Sequence, residues 1–478
     1  MTETPESGEI DLDDIMLGQS LLTVYDYLRP LAGPVPGDLK RRDADALLRS
    51  YLEPGRFPEA VHRLSTCHLL VLVGEEETGK RLGAIALLSR MPLAESTITV
   101  LSPAGTAADL LSRTEYEPGR AYLLHDWIAE STDRVELVNL ARKLAELGSY
   151  LVITRNGAPS QAVEVEHPWS APDPGELFDL CLRAYGLRAG RSPEELTRAR
   201  DLALSLPTPA EVVRLAGRLA GTDEPSGEEV AAWFDTKPSL HEVREVAALA
   251  FLHGVDGPVF EGQFARLERI CQAHERRGPQ PVGPPHPLVT HDEGRVVFRA
   301  PHHRGQVLAE LAGRYGFWLW QPLREWVRSL AGEEADVRSR AAEGVALLAA
   351  YSLKDVQAEF LDGWARGGNA ERLAAGDALS YMCADDTLAP EALRIALAWA
   401  ADPLDPRAAT AAVALGGGLS VRYPADAVRR LWRLGSGDGP SAGVAGRALA
   451  LLVEHARPHQ DARGRTVTAL AAALAADA

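Results

Sequence analysis

The stretch Leu69-Leu70-Val71-Leu72-Val73-Gly74-Glu75-Glu76-Glu77-Thr78-Gly79-Lys80-Arg81 joins a short apolar run to a glycine-bounded loop that ends in lysine. The run is typical of a buried strand, and the residues after Lys80 predict a helix. Such a strand, loop and helix bind phosphates through backbone N–H groups and the lysine. Gly74, Thr78, Gly79 and Lys80 therefore predict a nucleotide phosphate-binding loop. Arg81 departs from the pattern, because Ser or Thr at that position would hold Mg²⁺.

The composition of the whole chain is that of a globular protein of several domains. It has 478 residues, 46% hydrophobic and 24% charged, which is too long for a single core. No apolar run is long enough to cross a membrane, and the acidic N-terminus is unlike a targeting peptide. We therefore expect a cytoplasmic location. The net charge of −17 makes nucleic acid an unfavourable partner.

The cysteines and histidines show no metal-like spacing. Cys67, Cys181, Cys271 and Cys383 lie far apart in the sequence, which predicts reduced and mostly buried side chains. Among the 13 histidines, the pair His302-His303 is better explained by a helix start or loop than by zinc binding.

From His68 onward, short apolar strands alternate with helical runs. The predicted strands are Leu69–Val73, Thr97–Leu101, Ala121–Leu124, Tyr150–Thr154 and Ala162–Glu166, with helices at Lys80–Arg90, Ala107–Arg113 and Asp133–Leu147. This alternation predicts an α/β domain with a parallel sheet covered on both faces. Ligands of such sheets bind at the carboxyl ends of the strands. The loop, Asp126 and Arg155 all fall at such ends, and Asp126 is the expected Mg²⁺ ligand if a metal binds.

The remainder of the chain is predicted to be helical. Two amphipathic helices within 239–276, a hairpin turned at Asp292-Glu293-Gly294 and a following helix predict a winged-helix-like unit. Tryptophans then recur every 33–38 residues near helix ends, which predicts HEAT-like repeats with a tryptophan in each core: Trp326, Trp364, Trp399 and Trp432. The expected domains are a partly disordered lead-in (1–66), a P-loop NTPase-like α/β domain (67–170), a helical lid (171–235), the winged-helix-like domain (236–303) and a HEAT-like α-solenoid (304–478).

Three elements resemble, in chain order, the core of NB-ARC proteins and the wider STAND class of NTPases, which are nucleotide-controlled signalling switches. Gly74–Lys80 resembles their phosphate loop, Leu123–Asp126 their acidic strand, and Thr154-Arg155 their strand-ending sensor. The resemblance implies that Arg155 contacts the γ-phosphate of a bound nucleotide.

The resemblance continues beyond the sheet. Leu206-Pro207, before a predicted helix, is similar to the "GLP" element that lies near the base or ribose. His302 or His303, just after the wing, could take the place of the histidine that senses ADP. The whole layout also resembles a group of large actinobacterial ATP-binding proteins.

Two residues depart from the class at the steps that hydrolysis needs. Arg81 cannot bind a cation, and Trp127 leaves no carboxylate next to Asp126 to polarise water. We therefore expect a degenerate module that holds ATP or ADP, hydrolyses little or none, and acts on a protein partner through its C-terminal repeats or by forming homo-oligomers. Two alternatives remain: an active Mg²⁺-dependent ATPase switch, and a winged-helix DNA-binding regulator.

Overall fold

The computed structural model describes residues 14–31, 38–93, 97–104, 106–112, 116–128, 134–159, 165–185, 193–220, 228–274, 287–300 and 302–455. The start of the lead-in, where disorder is expected, and most of the predicted strand Ala162–Glu166 lie outside these ranges. The chain forms two compact units, residues 34–226 and residues 1–33 with 227–478. Segment 1–66, grouped by sequence as one lead-in, contributes to both.

The helices and strands of the described residues are numbered along the chain. The strands are β1 (Asp38–Lys40), β2 (Leu69–Gly74), β3 (Thr97–Val100), β4 (Ala121–Leu124), β5 (Tyr150–Asn156), β6 (Glu166–Pro168), β7 (Val289–Asp292) and β8 (Arg295–Phe298). The helices are α1 (Asp14–Leu31), α2 (Arg41–Leu47), α3 (Phe57–Cys67), α4 (Lys80–Ser89), α5 (Ala107–Ser112), α6 (Arg134–Glu146), α7 (Pro174–Tyr185), α8 (Pro193–Ser205), α9 (Pro209–Ala220), α10 (Glu228–Asp235), α11 (Leu240–Phe251), α12 (Gly257–His274), α13 (His303–Arg314), α14 (Phe317–Leu330), α15 (Ala335–Val356), α16 (Asp362–Trp364), α17 (Asn369–Met382), α18 (Ala389–Trp399), α19 (Arg407–Gly416), α20 (Gly418–Arg422), α21 (Pro424–Gly435) and α22 (Ala442–His455).

The α/β unit is built on one six-stranded sheet of order β1-β3-β4-β5-β2-β6. Every neighbouring pair is parallel except β1 with β3. The predicted order of an α/β region followed by helices is therefore confirmed. The prediction of an all-parallel sheet is wrong at one edge, because β1 runs antiparallel. This three-residue strand is too short to show a strand periodicity, and it lies in a segment expected to be mainly helical.

Both faces of β2 are buried, which explains its continuous apolar sequence. Leu70 and Leu72 pack on one face in a cluster with side chains of α2, α3 and α4. Leu69, Val71 and Val73 pack on the other face with α5 and α6. A strand covered on both faces needs apolar residues at every position, not at alternate ones. The loop after Gly74 therefore starts from a strand buried between two layers of helices.

Helices α7 and α9 pack together beside the sheet in the same unit. Their shared core includes Phe178 and Cys181 from α7, and Val212 and Ala216 from α9. Helix α8 contributes Ala203 to the same cluster. These helices lie in the segment that the sequence predicted to be helical only.

The second unit contains a two-stranded hairpin between helices. β7 pairs antiparallel with β8, and Glu293 and Gly294 both have positive φ values at the turn. Two central residues with positive φ form the tight turn that matches the twist of the strands. Helices α11 and α12 precede the hairpin and α13 follows it, in the predicted order.

The C-terminal helices pack successively on one another. Neighbouring contacts join α15 to α17, α17 to α19, and α19 to α22. Trp326, Trp364 and Trp399 are buried, as expected of core anchors, and Trp432 is partly buried.

Candidate functional site

The loop between β2 and α4 turns sharply on residues with positive φ. Glu77 has φ 57° and Gly79 has φ 80°. A Cβ atom on Gly79 would meet no neighbour, so this glycine is needed for its backbone conformation and not for space. Glu75, Glu76 and Glu77 are exposed, so their charges are screened by solvent.

Lys80 is buried at the base of this loop, with 5% of its surface exposed. Its Nζ donates to the carbonyl oxygen of Gly74 at 3.2 Å and to that of Glu75, and lies 3.4 Å from Thr78 Oγ1. Burial lowers the pKa of the Lys80 ammonium, and the charges of Asp126, Glu76 and Glu75 oppose this effect. The lysine is thus a desolvated cation within electrostatic reach of Asp126.

Asp126 follows β4 and is fixed by the neighbouring strand. Its backbone N–H donates to Thr154 Oγ1 at 2.8 Å, and the N–H of Trp127 donates to the Thr154 carbonyl at 2.9 Å. The Asp126 side chain is 34% exposed, and its Oδ2 lies 3.1 Å from His125 Nδ1. Asp126 itself has φ 55°, a conformation that Asp adopts more readily than most residues. The carboxylate therefore stands at the carboxyl edge of the sheet and remains accessible.

Arg155 lies on β5, opposite Val73 of β2, and is paired with a buried carboxylate. Its Nη2 donates to Glu166 Oε1 at 2.7 Å, and the Glu166 side chain is fully buried. Because β2 lies between β5 and β6, this ion pair crosses the strand that carries the loop. The Nε of Arg155 is buried without a hydrogen-bond partner in the described part of the chain.

Trp169, which directly follows β6, fixes the loop from one side. Its backbone N–H donates to the Val73 carbonyl at 2.8 Å, and its indole Nε1 donates to the Thr78 carbonyl at 3.3 Å. The ring packs against Gly83 of α4, where a Cβ would come within 2.1 Å of Trp169 Cζ2. Trp169 thus binds the end of β2, the loop and the first turns of α4 together.

A mostly apolar cleft lies beside Thr78 and Gly79. It contains about 370 Å³ of empty space, part of it open to solvent. The residues lining it come from five segments of this unit: Ser50, Tyr51, Leu52 and Pro54; Thr78, Gly79 and Leu82; Trp169 and Pro172; Leu177; Pro209 and Val213.

Tyr51 lines this cleft and carries a polar group. Its hydroxyl is buried and has no hydrogen-bond partner among the described residues. Burial, together with the charge of Glu53, raises the pKa of this hydroxyl, so the group is a neutral donor. A buried hydroxyl without a partner is costly.

The remaining predicted residues lie at three different places. Arg81 is half-buried in the first turn of α4, next to Lys80. Pro207 is exposed before α9, while Pro209 and Val213 from the following turns line the cleft instead. His302 belongs to the other unit, where it precedes α13 and its ring packs edge-on against His303.

The sequence reasoning missed Tyr51, Glu166 and Trp169. Tyr51 lies in the segment that was assigned no chemistry, and no local pattern connects it to a loop that begins at Gly74. Glu166 carries the clearest signal, since a carboxylate within an otherwise apolar strand is a candidate for an ion pair. Gly83 was a weaker signal, because a glycine inside a helix often marks a close neighbour.

Comparisons with known proteins assign no family. No protein-family model matches the chain, and no curated protein is significantly similar to it. Within the described residues, no three His, Cys, Asp or Glu side chains are grouped to hold a metal ion. None of the described helices is both long and apolar enough to cross a membrane.

Proposed function

We propose that this protein is a degenerate STAND-like regulator that binds ATP or ADP tightly, hydrolyses it little or not at all, and acts through protein–protein contacts. The observation that carries the proposal is that the loop with the buried Lys80 and the accessible Asp126 both follow parallel strands at one sheet edge, where the charge of Asp126 acts on the Lys80 ammonium. Residues from separate strands that converge at the carboxyl edge of a parallel sheet are typical of a ligand site.

The loop geometry supports phosphate binding. Gly79 and Glu77 turn the backbone before α4, and the helix N-terminus carries a partial positive charge. Lys80 donates to carbonyl groups of the same loop. A bound phosphate would replace these acceptors with a charged one, which forms the stronger hydrogen bond.

The cleft favours a nucleotide as the ligand, and not a phosphate ion alone. It begins at Thr78 and Gly79 and continues between apolar side chains of α7 and α9. A flat heterocycle prefers such surroundings. In this proposal Pro209 and Val213 take the place that the sequence assigned to Pro207.

Two residues argue against turnover. Arg81 places a cation where a hydroxyl would hold Mg²⁺. Trp127, the residue after Asp126, is 4% exposed and packs in the core beneath the sheet. No carboxylate therefore follows Asp126 directly to orient water, and Asp126 would be the Mg²⁺ ligand if any metal enters.

The second unit is suited to act by binding other proteins. Its hairpin, with α11, α12 and α13, is our candidate winged-helix-like element, and the later helices are candidate HEAT-like repeats. Such arrays commonly present binding surfaces to proteins. The acidic net charge favours a protein partner over DNA.

The test is the nucleotide content of the purified full-length protein and its release of phosphate with and without Mg²⁺. We expect retained ATP or ADP, its loss in Lys80→Ala, and retention in the control Lys354→Ala, which removes an exposed lysine of the other unit. Steady Mg²⁺-dependent hydrolysis that Lys80→Ala abolishes would instead establish an active ATPase. Equal absence of nucleotide from all three proteins, with no binding of added ATP, would refute the nucleotide site.

A further inference from the structure

Helix α1 presents one apolar face to the C-terminal helices of its unit. Leu17, Leu21, Val24 and Leu28 are each at most 4% exposed, at spacings that place them on one side of a helix. Gln19 on the same helix is exposed. Among the side chains that the structure describes on this helix, the buried apolar ones thus form a stripe along one side.

The surface under α1 is a groove with a backbone floor. α1 packs mainly against α17 and α20. Leu28 Cδ1 lies only 2.5 Å from where a Cβ on Gly418 would be, and Leu21 Cδ2 lies 3.3 Å from the Cβ position of Gly417. The two leucines occupy space that side chains at these glycines would fill, so the groove is shaped for them.

A polar pair fixes the position of α1 along the groove. Ser20 Oγ donates a hydrogen bond to Asp377 Oδ1 on α17. Both residues are buried, Ser20 at 7% and Asp377 at 3% exposure. One buried polar contact within an apolar interface selects a single register, because any shift leaves both groups without a partner.

The helices that form the groove also pack on other helices of the unit. Helix α17 packs on α15 and α19, and α19 packs on α21 and α22. α1 is also separated from these helices in sequence, since residues 34–226 form the other compact unit. Its place in the helical unit is therefore held by side-chain contacts made far along the chain.

We propose that this groove is a binding site for α1 of a second copy of the chain, so that α1 can be exchanged between molecules. The argument for this occupant is that α1 is the helix whose fit the structure displays, and every copy carries it. In such an exchange, each contact between α1 and the groove of its own molecule is replaced by the identical contact with the groove of the second copy. Exchange is therefore a low-cost route to a dimer. Within one molecule the tethered helix competes at a high effective concentration. Exchange is therefore favoured only when docking within the molecule is weakened or the protein is concentrated.

The test uses two full-length variants with complementary defects. Leu21→Asp spoils the apolar face of α1 and leaves the groove intact. Asp377→Lys places a cation in the groove opposite Ser20 and leaves α1 intact. Each variant alone is expected to be monomeric, and their mixture is expected to form a 1:1 complex of about twice the mass, measured by light scattering after size exclusion.

The matched control replaces Leu21→Asp with Gln19→Asp, which puts the same charge on the exposed side of α1. Its own helix stays docked, so its mixture with Asp377→Lys should stay monomeric. Monomers in the Leu21→Asp mixture, with circular dichroism spectra like the wild type, would overturn the proposal. A complex that forms only with another added protein would likewise overturn the second copy as the occupant.

A second measurement covers the case in which either variant fails to fold. In the wild-type protein, amide hydrogens of α1 should exchange through local opening, faster than those of α17 and α19. Exchange of α1 only at the rate of α17 and α19 would show that α1 never leaves the groove, and would overturn the proposal. None of these results depends on nucleotide binding.

Discussion

Arg81 and Arg155 define the candidate nucleotide site at the scale of single residues. Arg81 places a guanidinium at the second position of α4, directly after the buried Lys80. Arg155 is held by the fully buried Glu166, at the edge where the resemblance expects it to meet phosphate. Arg81 thus stands where the phosphate-loop pattern has a metal-binding hydroxyl, and Arg155 already has a counter-charge.

We expect Arg81→Thr to raise Mg²⁺-dependent ATP affinity by roughly tenfold, since a hydroxyl replaces a cation that repels the metal. The measurement is titration calorimetry with and without Mg²⁺. The control is Arg42→Thr, which removes an exposed arginine from the second position of α2. An unchanged Mg²⁺ dependence in Arg81→Thr would contradict our account of this position.

The Arg155–Glu166 pair can be separated into structural and ligand-binding roles. Arg155→Met alone should lower the free energy of unfolding by about 3–5 kcal/mol, because it leaves a buried carboxylate without its counter-charge. The double variant Arg155→Met/Glu166→Leu should recover most of this loss. Chemical denaturation of each variant, with nucleotide affinity measured in parallel, tests this.

The two roles give different results for that double variant. If Arg155 contacts the γ-phosphate, ATP affinity should fall while stability recovers, and ADP affinity should change less. Equal recovery of stability and of ATP affinity would show that Arg155 is a structural residue only.

At the scale of elements, Trp169 joins β2, the loop and α4. Its hydrogen bonds to Val73 and Thr78 hold both sides of the turn, and its ring leaves no room for a side chain at Gly83. The loop conformation is therefore set by a residue that is distant in sequence and that lies against the cleft.

Gly83→Ala should destabilise the α/β unit by about 1–3 kcal/mol, because the added methyl group would overlap the Trp169 ring. Gly262→Ala in α12 is the matched control: it is also a helical glycine, and its Cβ would meet no neighbour. That variant should be unchanged or slightly more stable, since alanine favours helix. Thermal unfolding measures both, and equal effects would refute the close packing of Trp169.

At the scale of the whole molecule, the helical unit is made of two separate parts of the sequence. α1 and the C-terminal helices meet at the buried pair of Ser20 and Asp377. Burial raises the pKa of Asp377 to about 6, with the Ser20 hydrogen bond and the charge of Arg338 acting the other way. Tyr381, whose hydroxyl bonds Ser339 at 2.7 Å, is another titratable group near this carboxyl.

The contribution of Asp377 to the stability of the helical unit should consequently fall as pH rises from about 4 through 6. The folded protein binds a proton at Asp377 up to about pH 6, while the unfolded chain releases it near its ordinary value of 3.8. Ionisation of Asp377 therefore lowers the free energy of unfolding as the pH rises from about 4 through 6, and the whole of this loss is present at pH 7.

The matched pair of variants is Asp377→Asn and Asp438→Asn, the second at an exposed turn. Asp377→Asn should raise the unfolding temperature at pH 7 more than at pH 5, because it removes a buried charge and can still accept from Ser20. Asp438→Asn should change neither value. A gain for Asp377→Asn that is the same at both pH values would contradict this origin of the pH dependence.

The local pattern of the sequence determined the elements of the α/β unit. Continuous apolar runs located β2, β4 and β5 within two residues, because buried parallel strands need apolar residues at every position, and the β-branched run at β3 located that strand equally well. It also placed Lys80, Asp126 and Arg155 at strand ends. β1 was missed because three residues carry no periodic signal, and it is the sheet that makes them a strand.

The sequence by itself thus determined strands β2 to β5, the helices between them and the charged residues at the carboxyl edge, since these depend on patterns within a few turns of chain. Only the tertiary structure decided which residues from distant parts of the chain pack against these elements and charged groups. It brought Trp169 onto Gly83, Glu166 onto Arg155, Tyr51 into the cleft and Ser20 onto Asp377. These contacts join residues far apart in the chain, and no local periodicity specifies a pairing made by packing.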